Sequence, residues 1–272
     1  MSEVNLKEVH DFWNSESCGE RYATGENISK KFLNESIARY KLEPYIKKFA
    51  NFPEFEGKDV LEIGVGLGCD HSQIALEKPR SLTGIDLTER AIYNTQLRFK
   101  YLGLKSSLKI DNAEKLSFED ESFDSVYSWG VLHHSPDTRK CFEEVYRVLK
   151  PGGSAKIMIY HKFSLVGWML WIKYGLLKFK PFMSQKTIYS NYLESPGTKA
   201  YTLKEAYNLT KSFSKKEIHV QLSFADLLNG NVGVRHKGLL LNLAKFFYPK
   251  VLIKMISNFF PIGLYLFIKV KK

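Results

Sequence analysis

Cysteine is scarce. The chain has 272 residues and three cysteines, Cys18, Cys69 and Cys141, odd in number and far apart. That spacing fits neither a disulfide framework nor a cysteine metal centre, and it suits a reducing compartment. No metal is expected. The N-terminal stretch MSEVNLKEVHDFW carries charges where a secretion signal needs an apolar run. The longest uncharged stretch, residues 255–268, is too short to cross a bilayer as a helix. Internal repeats and low-complexity linkers are absent. Together these absences exclude a secreted disulfide scaffold, a repeat array and a helical membrane span. The expectation is a cytoplasmic protein, peripheral at most at the inner membrane face.

Acidic residues are rare in the second half. Residues 151–272 hold 19 Lys and Arg against 4 Asp and Glu, whereas residues 1–150 hold 21 against 25. The net charge of +11 therefore sits on the C-terminal part, which suggests an anionic partner. Arginine is also nearly missing there, with Arg235 alone. Phosphate readers favour arginine, so nucleic acid is not expected as a partner. Two greasy segments, residues 163–182 and 238–257, set lysines beside broad aliphatic and aromatic faces. Three readings stand: helices lying in a membrane interface, helices capping the sheet, or a dimer contact. A monomer and a homodimer both remain open.

Hydrophobic residues make up 44% of the chain, enough for a sizeable core. Apolar runs at 59–65, 81–86, 106–113, 123–130 and 154–161 read as strands, with helical patterns at 88–104 and 135–150 between them. Asp137 suits a helix cap, and the Lys-Pro-Gly-Gly run at 150–153 suits a helix end. Alternation of this kind predicts a parallel sheet wound with helices on both faces, with ligands at the carboxyl ends of the strands. Two further strands are expected at 216–224 and 264–270, joined by a mostly helical insertion. Two helices, 4–14 and 29–50, precede the core.

The stretch LEIGVGLGCD at 61–70 repeats glycine straight after the first strand. A dinucleotide fingerprint spaced from Gly64 and Gly66 needs its third glycine at 69, where Cys69 stands. Here the third is Gly68. Glu62 lies just before the turn, where a carboxylate repels a pyrophosphate and suits an ammonium. Asp86 ends the second strand, where a carboxylate can take both ribose hydroxyls.

These segments, with TGIDLT, DNAEKLSF, FDSVYSWGVLHHSPD and VLKPGGSAKIMIY following in order, resemble the class I S-adenosylmethionine-dependent methyltransferases. The resemblance is close over residues 58–161 and loose beyond. It implies an α/β fold with a doubly wound, Rossmann-like sheet of seven strands: five parallel, plus a C-terminal antiparallel pair. It implies S-adenosylmethionine as cofactor and S-adenosylhomocysteine as product. Three parts follow: a helical lid segment at 1–55, a cofactor-binding core at 56–161, and residues 162–272 completing the sheet with substrate-capping insertions. By resemblance, Glu62 and the backbone at Gly64, Gly66 and Gly68 hold the methionine end, and Asp86 with Leu87 the ribose. Asn112 and Ala113 face the adenine, Asn112 standing where the family usually has Asp. Trp129 and Gly130 line the sulfonium.

Methyl transfer is an in-line displacement that needs an oriented acceptor and excluded water. A base is needed only where the acceptor must lose a proton. His133, His134 and His161 sit at strand ends and are the candidates, with helix-orienting or packing roles as the alternative. His10, Trp13 and Tyr22 belong to the expected lid. Tyr160, at the end of the fifth strand beside His161, is read with Tyr22 as a substrate contact. The polar stretch NYLESPGTKAYT at 191–202 brings Tyr192, Glu194, Thr198, Lys199 and Tyr201 around an expected type II turn, and is read as a substrate loop. The expected function is methylation of an O, N or S atom on a small, hydrophobic or lipid-like molecule. Polar metabolites and surface sugars are the alternative, as is a non-methylating enzyme on the same fold.

Overall fold

The computed structural model describes residues 4–229 and 248–272. Helix α1 (Leu6–Ser15) opens on a capping box in which the Asn5 side chain accepts from the Glu8 amide and the Glu8 carboxylate takes the Asn5 amide. Helix α2 (Ile28–Leu42) and helix α3 (Tyr45–Ala50) replace the single helix expected over 29–50. The break falls at Glu43, because the ring of Pro44 disfavours helical backbone in the residue before it. Then come β1 (Asp59–Ile63), α4 (Cys69–Leu76), β2 (Ser81–Asp86), α5 (Glu89–Leu102), β3 (Ser107–Ile110), β4 (Phe123–Trp129), α6 (Thr138–Val148) and β5 (Leu149–Tyr160). Asp137 caps α6 as expected, accepting from the amides of Arg139 and Lys140. The C-terminal part adds α7 (Leu165–Tyr174), α8 (Gln185–Tyr192), α9 (Leu203–Leu209), β6 (Lys215–Gln221), α10 (Lys250–Ser257) and β7 (Tyr265–Lys271).

The sheet runs β3-β2-β1-β4-β5-β7-β6. The first five strands pair in parallel, and β7 slots antiparallel between β5 and β6. The expected fold class stands, with β6 and β7 an antiparallel pair joined by a long connection. Of the insertion expected between them, α10 is a helix, while residues 230–247, with the start of the 238–257 segment, lie outside the described residues.

Both faces of the sheet are covered, so its strands alternate between two cores. Ile157 and Ile159 of β5, with Leu266 and Ile268 of β7, point to an aliphatic core under α6 and α9. Met158, Tyr160, Tyr265 and Phe267 point the other way, into an aromatic core with Phe49, Phe52, Phe55, Tyr127 and Trp129. The site opens where that aromatic face meets the carboxyl ends of the parallel strands.

Candidate active site

The β1–α4 turn is held by the neighbouring strand. The amides of Gly64 and Val65 both donate to the Ile85 carbonyl, at 2.7 and 3.1 Å. Gly64, Gly66 and Gly68 all have positive φ, at +84°, +53° and +73°, a region that favours glycine. Their surroundings differ. A Cβ on Gly64 would lie 2.1 Å from Val131, and one on Gly68 2.9 Å from Thr95. A Cβ on Gly66 would meet nothing within 4 Å and would stand in the open cavity. Two glycines thus serve packing, and the middle one clears room for a ligand.

Asp86 is aimed from the next strand. One of its oxygens accepts from the Gly66 amide at 3.1 Å, the other from the Thr88 amide and hydroxyl at 3.1 and 2.9 Å. Burial raises its pKa and those hydrogen bonds oppose the rise. Glu62 is buried, and its Oε2 lies 2.8 Å from Nδ1 of His71. The other ring nitrogen of His71 meets the Ser106 hydroxyl, whose own proton goes to the Leu82 carbonyl. Nε2 therefore carries a hydrogen, and the proton between Nδ1 and Glu62 is the one this pair shares. Burial pushes the Glu62 carboxyl up and the His71 imidazole down, to about 3.

These groups line one end of a cavity enclosing about 450 Å³, together with Leu87, Asn112 and Ala113. Gly68 sits just behind its wall, capping α4. The Asn112 carbonyl oxygen already accepts from the Glu114 amide at 2.9 Å. The expected contact to an adenine amine therefore falls to its remaining lone pair.

The other end is aromatic and acidic. Trp129, Gly130, Tyr160 and Tyr265 form its wall, with the carboxylates of Glu43 and Glu194 beside them. Tyr265 donates to Glu43 at 2.6 Å and Tyr160 to Glu194 at 2.7 Å. Burial raises Glu43. Burial also works to raise Glu194, but hydrogen bonds from His134 and Tyr160 hold it below the usual carboxylate range. The roof is α1 and the turn after it, including Trp13, Cys18 and Tyr22. The roof is clasped down by Arg90 on α5, which pairs with Glu20 at 2.5 Å.

Of the three candidate histidines, His134 reaches the cavity. Its Nδ1 lies 2.8 Å from the Ser195 hydroxyl and its Nε2 3.5 Å from Glu194. Two placements correct the expected set. His133 is fully buried behind the wall, its ring 4.0 Å from that of Tyr160. His161 turns away and donates from Nδ1 to the Gly263 carbonyl at 3.0 Å. His10 lies outside the cavity, paired with Asp11 and Glu89.

The polar loop forms the expected turn, with the Thr198 amide on the Ser195 carbonyl and Gly197 at φ +76°. Its role differs from a substrate loop in most residues. Glu194 lines the cavity, whereas Tyr192, Thr198, Lys199 and Tyr201 do not. Tyr192 stacks on Tyr174, Thr198 backs His134, the Lys199 ammonium donates to the Ser135 carbonyl, and Tyr201 bridges to the end of β5. Thr198 and Lys199 spend their polar groups on the carbonyls of Ser195 and Ser135, a use that composition does not separate from substrate binding.

Sequence reasoning missed Arg39 and Glu43. Both line the cavity, Arg39 in the last turn of α2 and Glu43 at its C-cap, four residues on. Arg39 grips the buried Asp70 with two hydrogen bonds, at 2.9 and 2.5 Å, and Asp70 also accepts from Tyr40 and Tyr127. The i, i+4 spacing of Arg39 and Glu43 was visible, but nothing local showed that this face of α2 looks inward.

This strand order, with an acid near the end of β1, three glycines after it and a carboxylate ending β2, defines the class I methyltransferase fold. Residues 61–157 match the profile of the family described as "Methyltransferase domain". A phosphoethanolamine N-methyltransferase 2 of Caenorhabditis elegans is 38% identical over 43% of this chain and 26% of its own length. A sterol 24-C-methyltransferase of Pneumocystis carinii is 32% identical over 49% and 33%. The solved phosphoethanolamine N-methyltransferase 2 of Haemonchus contortus, in complex with S-adenosylhomocysteine and phosphomonomethylethanolamine, overlays with a TM-score of 0.58. It is 23% identical, with 97% of this chain and 60% of that one covered, a likeness of fold. The chain thus spans a quarter to a third of the length of these two curated relatives. Residues 61–157 carry the methyltransferase-domain match, and the sheet built around them has the class I S-adenosylmethionine-dependent methyltransferase fold. One relative is named for methylation at carbon. The match therefore does not restrict the accepting atom to oxygen, nitrogen or sulfur, as the sequence reading had it. The residues fit the family's cofactor, since Gly66 leaves open space beside Asp86 and Glu62 faces the same cavity.

Proposed function

We propose that this chain transfers the methyl group of S-adenosylmethionine to a small amphipathic molecule held against Trp129, Tyr160 and Tyr265. The observation that carries the reading is the single cavity with two unlike ends. One end has an acid, a glycine turn and a ribose-type carboxylate. The other has aromatic rings and paired carboxylates. Glu62 and Arg39 would take the ammonium and carboxylate of the methionine moiety. The amides around Gly66 would take its backbone side, Asp86 the ribose, and Asn112 and Ala113 the adenine. When bound, the cofactor supplies an electrophilic methyl.

The chain's own residues do the rest. The roof of α1 excludes water, and the aromatic wall orients the acceptor in line. His134 holds or takes a proton at Nε2. Nδ1 is held by the Ser195 and Thr198 hydroxyls at 2.8 and 3.2 Å, which fixes the ring with Nε2 facing Glu194 at 3.5 Å. Rings beside carboxylates also suit an acceptor with an amine end.

The lysine-rich, apolar C-terminal surface supports a cytoplasmic enzyme that touches anionic membrane, and the unpaired state of Cys18, Cys69 and Cys141 suits that compartment. The division into lid, core and capping parts at 55 and 161 is kept as part of this reading.

The test is transfer of radiolabelled methyl from S-adenosylmethionine into an extract of the source cells, split into organic and aqueous phases. Label in the organic phase is the expected result. Label in the aqueous phase would move the reading to a polar metabolite or sugar, and no incorporation at all would overturn it.

A further inference from the structure

Three donor groups converge at the acceptor end of the cavity. One donor atom each from His133, His134 and Glu194 lies within 4.8 Å of the others. His134 Nε2 and Glu194 Oε2 are 3.5 Å apart. Bonds of about 2.0–2.2 Å to a tetrahedral ion put neighbouring donors about 3.4 Å apart. That pair is already spaced as two ligands of one cation would be.

The hydrogen-bond pattern points the same way. A ligating histidine needs a lone pair on one nitrogen and a hydrogen on the other, usually spent on a fixed acceptor. His134 can supply both. With its hydrogen on Nδ1, the Ser195 and Thr198 oxygens at 2.8 and 3.2 Å would accept it, and Nε2 beside Glu194 would be open to a cation in place of the proton that the pair otherwise shares. The Glu194 carboxylate is itself steadied by the Tyr160 hydroxyl. His133 supplies the independent observation. It is wholly buried, and neither of its ring nitrogens has a hydrogen-bond partner. A buried imidazole with no partner carries the cost of its lost hydration, and a ligand bond removes that cost.

We propose that His133, His134 and Glu194 form a binding site for a divalent transition-metal ion of the zinc type. Two imidazoles and a carboxylate with a position left open is a donor set of intermediate softness, suited to zinc and its neighbours and not to magnesium or calcium. Because His134 and Glu194 line the cavity, the open position faces the acceptor. There the ion would hold a hydroxyl, thiol or water oxygen and make its proton easier to lose. The proposal stands on these side chains, whatever the acceptor is.

The test uses the full chain freed of metal with a chelator. Zinc is titrated by calorimetry, and cobalt(II) is followed by its visible absorption. One zinc per chain is expected, with a cobalt spectrum of a four- or five-coordinate site. Glu194→Gln and His133→Ala should each weaken zinc at least tenfold while S-adenosylhomocysteine still binds. Glu194 is partly exposed, so its variant tests the proposal even where His133→Ala fails to fold. Absence of stoichiometric zinc binding would overturn the proposal. So would equal zinc affinity in the wild type and Glu194→Gln, which would assign the metal to surface histidines.

Discussion

At the residue scale the site divides into side chains with one function and side chains that position others. Asp86 belongs to the first kind. Both of its oxygens are pre-aimed by Gly66 and Thr88, so ribose hydroxyls meet an acceptor that needs no reorganisation. Asp86→Ala should weaken S-adenosylhomocysteine binding by about 1.5–3 kcal/mol, the range for hydrogen bonds to a charged group. Unchanged affinity by calorimetry would remove Asp86 from that role. Residues such as Asp86, Glu62 and Gly66 were legible in the sequence because strand, turn and acid follow one another within a few positions. Glu43 and Arg39 were not, since their meaning arises when α2 folds across the strand ends. The histidines show the same limit. Adjacency at 133 and 134 said nothing about which one reaches the cavity, because the turn between β4 and α6 decides it.

At the scale of elements, the β1–α4 turn makes a sharp contrast. Gly64→Ala drives a methyl group to about 2.1 Å from Val131 and should destabilise the fold. Gly66→Ala meets open space and bears only the strain of a positive φ, of order 1 kcal/mol. Thermal melts should therefore show a larger loss for Gly64→Ala, while Gly66→Ala loses cofactor affinity out of proportion to its small loss of stability. Equal behaviour of the two variants would contradict the assigned roles.

The C-terminal elements carry the membrane reading. No helix among the described residues is long and apolar enough to cross a bilayer. Beyond α7, however, Phe179 and Phe182 are 95% and 99% exposed, among the exposed lysines 173, 178, 180 and 186. Aromatic tips ringed by lysine fit the interface of an anionic bilayer. The double substitution Phe179→Asp with Phe182→Asp should abolish co-sedimentation with vesicles rich in anionic lipid and leave S-adenosylhomocysteine affinity intact. Equal sedimentation of variant and wild type would leave that surface for another partner. The sequence showed the greasy, basic character of this region. It did not show that α7 itself is partly docked through Val166 and Leu170 while the exposed aromatics fall just after it.

For the whole molecule, the alternation of strands and helices made the parallel, doubly wound sheet legible in the sequence, while its strand order was read from the structure. The insertion before β7 was expected and the break before α3 was missed although its cause, Pro44, is local; that the insertion packs back on His161 through Gly263 was not legible, because it joins distant segments. One consequence of that packing is pH-dependent stability. Burial lowers the pKa of His161, and the Gly263 carbonyl only partly offsets it. An unfolded histidine takes up its proton below about pH 6.5, while the native one refuses it until a lower pH. Its contribution is therefore fully present above pH 6.5 and is lost as pH falls. Glu43 and Asp226, raised by burial, act in the opposite sense, so the histidine is isolated by substitution. His161→Gln should flatten the slope of unfolding free energy between pH 5 and 6.5 by up to about 1.4 kcal/mol per pH unit. An unchanged slope would contradict the assignment.

The central claim is that the cavity is built for S-adenosylmethionine and not for a dinucleotide. The most direct measurement is calorimetric titration of the full chain with S-adenosylhomocysteine and, separately, with NADH. The account predicts one saturable site per chain for S-adenosylhomocysteine and no heat of binding for NADH. Binding of NADH with no response to S-adenosylhomocysteine would contradict it.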